Sequence, residues 1–315
     1  MVYVDPPYFT KRDYEGVRRD IPGNGNGAGK GATPAQGDGS DQANDEKSYL
    51  RFSDRWGGDI KKSQNKNVPD GESDAARAAY LGWLEIRIRE MYRVLKPGGN
   101  FVLHLDWHVV HYAKVLCDGI FGSEQFVNEL IWYYQTGGAS KSHFSRKNDT
   151  LLWFFKGGVG CRVWGGEGGG VGAAASAGGE KKVGYYFDGK AIAIPRTEKA
   201  MKRAQCPTGA RIKLTDTHKN PDDVLLVPAL NPMSNERTGY PTQKPLELLE
   251  KLVVALCPPH GLVADFFCGS GTTLVAAQRQ GRRYFGCDIS ADAVKLVLQR
   301  LLLKPDVPYN SSGID

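Results

Sequence analysis

Several features that would place the chain in a membrane or an oxidising compartment are absent from its 315 residues. None of the six cysteines belongs to a Cys-x-x-Cys pair, which argues against a zinc site or a disulfide framework. The sequence shows no signal peptide, and it has no apolar run long enough to span a bilayer. We therefore expect an intracellular protein with reduced cysteines and no membrane partner.

Acidic residues are slightly fewer than basic residues, at 35 Asp and Glu against 41 Lys and Arg. The formal net charge is +6, with 41% hydrophobic and 24% charged residues. This composition is ordinary for a globular protein with one large core. The positive excess suits a polyanionic partner such as nucleic acid, although many proteins without such a partner share it.

Glycine is plentiful, with 39 residues, and most of the excess lies in two tracts. Residues 21–47 are rich in Gly, Asn, Asp and Ser, and residues 157–179 are rich in Gly and Ala. Such tracts cannot bury enough apolar surface to order themselves, so both are expected to be flexible insertions. Residues 304–315 are expected to form a frayed tail.

Alternating strand and helix patterns predict an α/β fold. Apolar residues recur at helical spacing over residues 75–95. Further patterns predict strands near residues 2–5, 100–106 and 283–288, helices near residues 109–120, 245–256 and 291–303, and a strand, a glycine turn and the start of a helix over residues 263–274. Apolar strands separated by helices indicate an open, mostly parallel sheet. The segments 126–134 and 150–155 predict an antiparallel hairpin at the sheet edge.

A glycine turn near the end of the chain has the character of a nucleoside site. It follows an apolar strand and opens a helix, so a ligand can approach the backbone and the helix N-terminus closely. Asp288 ends the next strand, where an acid can bind ribose hydroxyls. Leu274 replaces the third small residue of a dinucleotide turn, and a phosphate-loop lysine is missing. S-adenosylmethionine therefore fits better than NAD or ATP.

A rigid acidic loop follows the first strand. Two prolines end that strand, and they hold Asp5 and the Pro6 carbonyl in place. Both groups can accept hydrogen bonds from the exocyclic amine of a base, and the Tyr8 ring offers a stacking face for a flipped base. An ordinary strand-ending turn remains the alternative. Cysteine chemistry is disfavoured, because no Pro-Cys pair of the cytosine-C5 type is present.

Three motifs, in one order, resemble the amino-group DNA methyltransferases of the permuted β type, which include the modification subunits of type III systems. The motifs are Asp5-Pro6-Pro7-Tyr8, then Thr238-Gly239-Tyr240-Pro241-Thr242-Gln243-Lys244-Pro245, then Asp265-Phe266-Phe267-Cys268-Gly269-Ser270-Gly271-Thr272-Thr273. The resemblance implies a Rossmann-like methyltransferase sheet with permuted motif order. It divides the chain into a catalytic half (1–156), an insertion with a short target-recognition region (157–230) and a cofactor-binding half (231–303).

The resemblance also implies roles for individual residues. Asp5, Pro6, Pro7 and Tyr8 would form the target-base pocket. The methionine end of S-adenosylmethionine would be lined by Asp265, Phe267, Gly269, Gly271 and Thr272, its ribose would be held by Asp288, and its carboxylate would be capped by Thr242, Gln243 and Lys244. The macromolecular partner would be duplex DNA, with Arg146 and Lys147 on phosphates. A homodimer or a specificity or restriction subunit is compatible with the family.

Several alternatives stay open. Aspartate at position 5 favours adenine N6, because the cytosine-N4 relatives more often carry serine there. In the family, a strand whose terminal aspartate contacts the cofactor adenine would precede Met1, so a truncated, catalytically weak DNA-binding homologue is a further alternative. A bacterial origin implies the cytoplasm, whereas the Gly-Ala-rich tract raises a eukaryotic origin with a nuclear or organellar location.

Three histidines lie close together in sequence, at positions 104, 108 and 111. Two imidazoles four residues apart on a helix can bind a metal. However, His104 falls within a predicted strand and the family needs no metal, so no metal is expected. Asp106, at the carboxyl end of that strand, is a better candidate for a pocket residue.

Overall fold

The computed structural model describes residues 1–8, 13–17, 49–53, 70–135, 139–157, 184–204 and 217–302. The predicted insertion at 21–47, residues 158–179 of the second tract and the tail at 304–315 lie outside these residues.

Strands and helices alternate over most of the described chain. The strands are β1 Val2–Val4, β2 Asp13–Val17, β3 Tyr49–Ser53, β4 Asn100–Leu105, β5 Phe126–Tyr133, β6 Asn148–Phe155, β7 Ile194–Pro195, β8 His218–Lys219, β9 Val224–Leu226, β10 Leu262–Asp265 and β11 Arg283–Gly286. The helices are α1 Asp70–Val94, α2 Val110–Phe121, α3 Glu198–Ala204, α4 Leu246–Leu256, α5 Thr272–Arg279 and α6 Ala291–Leu302.

One mixed sheet organises the fold, in the order β11-β10-β1-β4-β6-β5-β9. The first four of these strands run parallel, whereas β6 is antiparallel to both β4 and β5. The predicted α/β fold with a mostly parallel sheet is confirmed. The predicted hairpin of β5 and β6 is present, and β9 pairs in parallel with its outer strand. That pairing satisfies backbone groups that an edge strand would leave open.

Strand β1 lies near the middle of the sheet and is buried on both faces. Val2 and Val4 pack with α1 and α2 side chains such as Leu84. Tyr3 points to the opposite face, in the core formed with α4 and α5. Helices therefore cover both faces, as an almost entirely apolar parallel strand requires.

The sheet brings together the two ends of the sequence. Strand β1 pairs in parallel with β10, and Tyr3 is in register with Asp265. Strand β11 continues the same parallel ladder. Because the carboxyl ends of parallel strands share one edge of a sheet, the loops after β1, β10 and β11 meet there. The predicted adjacency of the two distant motifs is confirmed.

Two smaller antiparallel pairs are also present among the described residues. Strand β2 pairs with β3, on either side of the predicted insertion at 21–47. Strand β7 pairs with β8 inside the region predicted to recognise the target. Among the described residues, no helix is both long and apolar enough to cross a bilayer.

Candidate active site

Asp5 directly follows β1 and forms an ion pair with Lys244. Its Oδ2 atom lies 2.6 Å from Nζ of Lys244, and both side chains are largely buried. Its Oδ1 atom is buried and has no hydrogen-bond partner among the described residues. An unpaired buried carboxylate oxygen is energetically costly. The arrangement leaves one acceptor available to a ligand while the other is held by an ion pair.

The two prolines and Tyr8 form a braced loop. The Tyr80 hydroxyl donates to the Pro7 carbonyl at 3.0 Å, which fixes the loop against α1. Lys244 Nζ lies 4.8 Å from the centre of the Tyr8 ring. Burial, followed by the nearby Asp5 charge, raises the pKa of the Tyr8 hydroxyl well above its usual value. Tyr8 therefore remains a neutral phenol.

The glycine turn forms a hydrogen bond with Asp288, the acid predicted to hold the ribose. The Gly269 N–H donates to Asp288 Oδ2 at 2.8 Å, and the Ser290 N–H donates to Asp288 Oδ1 at 2.9 Å. Gly269 has φ of 47°, and a Cβ there would lie 3.0 Å from the Tyr240 ring. Both features favour glycine. The turn holds the Asp288 carboxylate at the carboxyl end of β11.

Asp265 ends β10 and is almost fully buried. Its Oδ1 atom accepts a hydrogen bond from the Phe267 N–H at 3.0 Å. Burial disfavours the charged form, and the pKa of the carboxyl is raised to about 7. A carboxyl poised in this way can gain a full charge when a cation binds beside it.

These residues surround one cavity of about 800 Å³. The predicted site residues that line it are Asp5, Pro6, Pro7, Tyr8, Thr242, Lys244, Asp265, Phe267, Gly269, Thr272 and Asp288. The catalytic and cofactor motifs therefore share a single space. This volume is within the range of small-molecule sites.

Two predicted cofactor residues are outside the lining and support it instead. Gly271 has φ of 76° and is the N-cap of α5. Gln243 braces the preceding loop, because its Oε1 atom accepts from the Thr238 N–H at 2.8 Å and its Nε2 atom donates to the Glu236 carbonyl at 2.8 Å. Both residues support the segments that line the cavity without lining it themselves.

Three further predicted residues lie away from the cavity. Asp106 does not line it and pairs instead with His108, at 2.5 Å between Oδ2 and Nδ1. Arg146 stacks on Trp107, with the guanidinium carbon 3.8 Å from the ring centre. Lys147 donates to the Gln135 carbonyl at 3.3 Å. Within the described residues, no group of three or more His, Cys, Asp or Glu side chains is arranged to hold a metal ion.

Two aromatic residues and an arginine that were not predicted as site residues also line the cavity. Trp83 and Arg87 line the cavity from α1, with the guanidinium carbon 4.0 Å from the indole ring centre. Tyr240 lines it beside the glycine turn. Trp83 and Arg87 lie four residues apart, a spacing that places them on one helix face. That spacing alone does not show which face meets the sheet edge.

A buried polar chain runs behind the loop. The Tyr3 hydroxyl lies 2.7 Å from His104 Nδ1, and His104 Nε2 lies 3.2 Å from Asp149 Oδ2. The Tyr134 hydroxyl donates to Asp149 Oδ1 at 3.2 Å. Burial opposes ionisation of Asp149, but the His104 hydrogen bond holds its pKa below the usual value. These hydrogen bonds link β1, β4 and β6 at the sheet edge that carries the site.

Known proteins resemble this chain over most of its length. The profile of a family described as DNA methylase (N6_N4_Mtase) matches residues 1–299. The chain belongs to the DNA methylase family. Type II methyltransferase M.ScaI of Streptomyces caespitosus is 27% identical over 70% of this chain and 67% of its own length. DNA adenine methyltransferase YhdJ of Escherichia coli K12 is 25% identical over the same shares. A solved PvuII DNA methyltransferase (cytosine-N4-specific) covers 78% of this chain and 77% of its own, at 16% identity and a TM-score of 0.49.

This DNA methylase is an S-adenosylmethionine-dependent methyltransferase for an exocyclic amine, of the adenine-N6 or cytosine-N4 type. Its site fits that cofactor. The buried Asp265 carboxyl matches a cationic amino-acid end, and the Asp288 carboxylate matches ribose hydroxyls. The glycine turn approaches the cavity closely enough that a side chain at position 269 would meet Tyr240. The predicted family and cofactor are confirmed.

Proposed function

We propose that the protein methylates N6 of adenine in duplex DNA, with the base flipped into the cavity beside Asp5. The observation that carries the proposal is the buried Asp5 Oδ1 atom, which has no hydrogen-bond partner in the described part of the chain, on an aspartate rather than a serine. The relative named as a DNA adenine methyltransferase supports the same base. The shared cavity supports a direct transfer between the two halves of the site.

The reaction follows from the loop chemistry. Asp5 Oδ1 and the Pro6 carbonyl accept the two amino hydrogens of the base, which draws the nitrogen toward a pyramidal geometry and directs its lone pair outward. S-adenosylmethionine, held by Asp265 and Asp288, would supply an electrophilic methyl group on a positively charged sulfur. Transfer of that methyl group to the amine nitrogen would leave the electron pair of the C–S bond on sulfur, and one N–H proton would be released to solvent. No protein nucleophile is needed.

The remaining residues position the reactants. Lys244 fixes the Asp5 carboxylate through the ion pair, and the Tyr8 ring stacks on the flipped base. Asp265 binds the methionine ammonium, and Asp288 binds the ribose. Arg146 and Lys147 contact phosphates outside the cavity.

The test is methylation of unmethylated plasmid DNA, read by nucleoside mass spectrometry. We expect N6-methyladenine. Asp5→Ala should abolish transfer while isothermal titration still detects S-adenosylmethionine binding, and Asp74→Ala, an exposed aspartate of α1, serves as the matched control. N4-methylcytosine as the product would overturn the base assignment. Full activity of Asp5→Ala would overturn the mechanism, and the absence of any methylated base would favour a DNA-binding homologue.

A further inference from the structure

The loop between β5 and β6 carries an unusual side chain. Phe144 is 98% exposed, in a loop that includes Lys141, His143, Arg146 and Lys147. Single exposed apolar residues are common on protein surfaces. This one, however, is a full aromatic ring flanked in sequence by Lys141, Arg146 and Lys147, whose positive charges attract a polyanion.

The loop is built to hold that ring outward. The Ser140 N–H donates to Ser145 Oγ at 3.0 Å, which closes the turn across Phe144. The Ser140 hydroxyl oxygen accepts from the Ser142 and His143 N–H groups, each at 3.3 Å. These side-chain bonds to backbone define the local conformation. The exposed ring is therefore presented by a turn that several side-chain hydrogen bonds hold together.

The loop is anchored to the edge of the sheet that carries the active site. Arg146 stacks on Trp107, just beyond the carboxyl end of β4. At the base of the loop, Asp149 bonds to His104, which bonds to Tyr3 in β1, the strand that Asp5 directly follows. Strands β1 and β6 are separated only by β4, a distance of about 10 Å. Phe144 thus projects from a loop rooted close to the catalytic strand.

We infer that Phe144 is a wedge that enters the DNA base stack when the target base leaves it. Extracting a base leaves a gap and costs stacking energy, and an inserted apolar side chain offsets part of that loss. The ring supplies apolar surface, and the flanking cations hold the backbone on either side. The inference rests on the proposed function, because it assumes that the base is flipped from duplex DNA.

The test separates base extraction from chemistry. Sequencing of plasmid methylated by the wild-type enzyme locates the recognition site, and two synthetic duplexes carry it. In one duplex the target base is paired, and in the other it lies opposite an abasic position. Phe144→Ala should lower the single-turnover rate about tenfold on the paired duplex, equivalent to about 1.4 kcal/mol. On the abasic duplex, where extraction is easier, the rate should change less than about twofold.

Matched variants keep the result interpretable. Phe144→Trp should retain most of the paired-duplex rate, and Val115→Ala, which alters a side chain that is 70% exposed on α2, should have no effect. Equal losses on both duplexes, or no loss on either, would overturn the wedge.

A turnover-free measurement separates failure of the wedge from failure of the proposed function. In Phe144→Trp, stacking on bases should quench fluorescence when mixed-sequence duplex is added, beyond the change seen with the six native tryptophans of the wild type. If the wild type methylates no base, the proposed function fails while this quenching still supports the wedge. Absence of extra quenching would overturn the wedge, whatever the activity.

Discussion

At the scale of single residues, the ion pair between Lys244 and Asp5 is the central contact. The family resemblance implied that Lys244 caps the cofactor carboxylate, and the structure places its ammonium 2.6 Å from the Asp5 carboxylate. A buried ion pair stabilises little relative to apolar groups, but removal of one partner leaves an unpaired charge. We therefore assign Lys244 to the orientation of Asp5.

Lys244→Met should lower both stability and turnover. We expect a loss of about 3 kcal/mol in unfolding free energy, because the Asp5 carboxylate loses its partner in a largely buried site. Urea denaturation measures this loss, and single-turnover methylation measures the rate. Lys251→Met is the control, because its ion pair with Glu247 is more exposed and should contribute less than about 1 kcal/mol. Equal effects of the two variants would contradict the assignment.

Asp265 predicts a pH dependence of cofactor binding. Burial raises the pKa of this carboxyl to about 7, so it is mostly neutral at pH 6 and mostly charged at pH 8. Affinity for the cationic cofactor should therefore rise across that window, with proton release on binding. Titration calorimetry in buffers of different ionisation enthalpy measures both effects. Asp265→Asn should flatten the profile, and an unchanged slope in that variant would refute the role.

The same carboxyl has the opposite effect on the stability of the free protein. Its pKa in the folded state is above the unfolded value, so the fold favours the protonated form. This contribution is complete below about pH 4 and is lost as the pH rises toward 7. Cofactor binding should compensate for that loss.

At the scale of elements, the strand-turn-helix unit from β10 to α5 depends on one backbone conformation. Gly271 has φ of 76°, in the left-handed region that side chains rarely adopt. A Cβ there would also lie 2.7 Å from Val297 of α6. Glycine at position 271 therefore avoids both backbone strain and a clash with α6.

Gly271→Ala should destabilise the protein by about 1–3 kcal/mol, from strain at positive φ together with displacement of α6. Gly82→Ala is the matched control, since Gly82 lies within α1 with nothing near its Cβ position. Alanine there should stabilise by about 0.5–1 kcal/mol. Thermal unfolding of both variants provides the measurement, and a neutral result at position 271 would show that the turn can relax.

At the scale of the whole molecule, the predicted cofactor and substrate residues lie at one edge of one sheet. Strands β1 and β10 are hydrogen-bonded neighbours although about 260 residues separate them, and the two core clusters extend across both halves. Such an arrangement should unfold as one cooperative unit rather than as two domains.

S-adenosylmethionine should raise the midpoint of a single unfolding transition. At 100 times its dissociation constant, a ligand that binds only the folded state adds about 2.7 kcal/mol. Calorimetry should show one peak that shifts as a whole, and Asp288→Ala should reduce the shift because the ribose contact is lost. Two peaks, with only one responding to the ligand, would show that the halves fold independently.

Much of this description was accessible from local sequence patterns. The periodicity of α1, the apolar strands and the proline and glycine punctuation depend on neighbouring residues, and they predicted these elements with shifts of a few residues. Trp132 illustrates the limit of such patterns. Its indole N–H donates to the carbonyl of Val227, just after β9, and the pairing of that three-residue strand is not specified by neighbouring residues alone.

The amino-acid sequence by itself determined the chemistry of the site. The types and order of the residues in the three motifs indicate an exocyclic amine as the methyl acceptor, a glycine turn for a nucleoside cofactor, and the DNA methylase family. Only the tertiary structure decided which groups meet. Parallel pairing across a long sequence separation placed Asp5 beside Asp265. Tertiary packing also brought the Lys244 ammonium to Asp5, and Trp83 and Arg87 to the cavity. The reason is physical: local patterns specify elements, whereas contacts between distant elements depend on how their apolar faces pack together in one sheet.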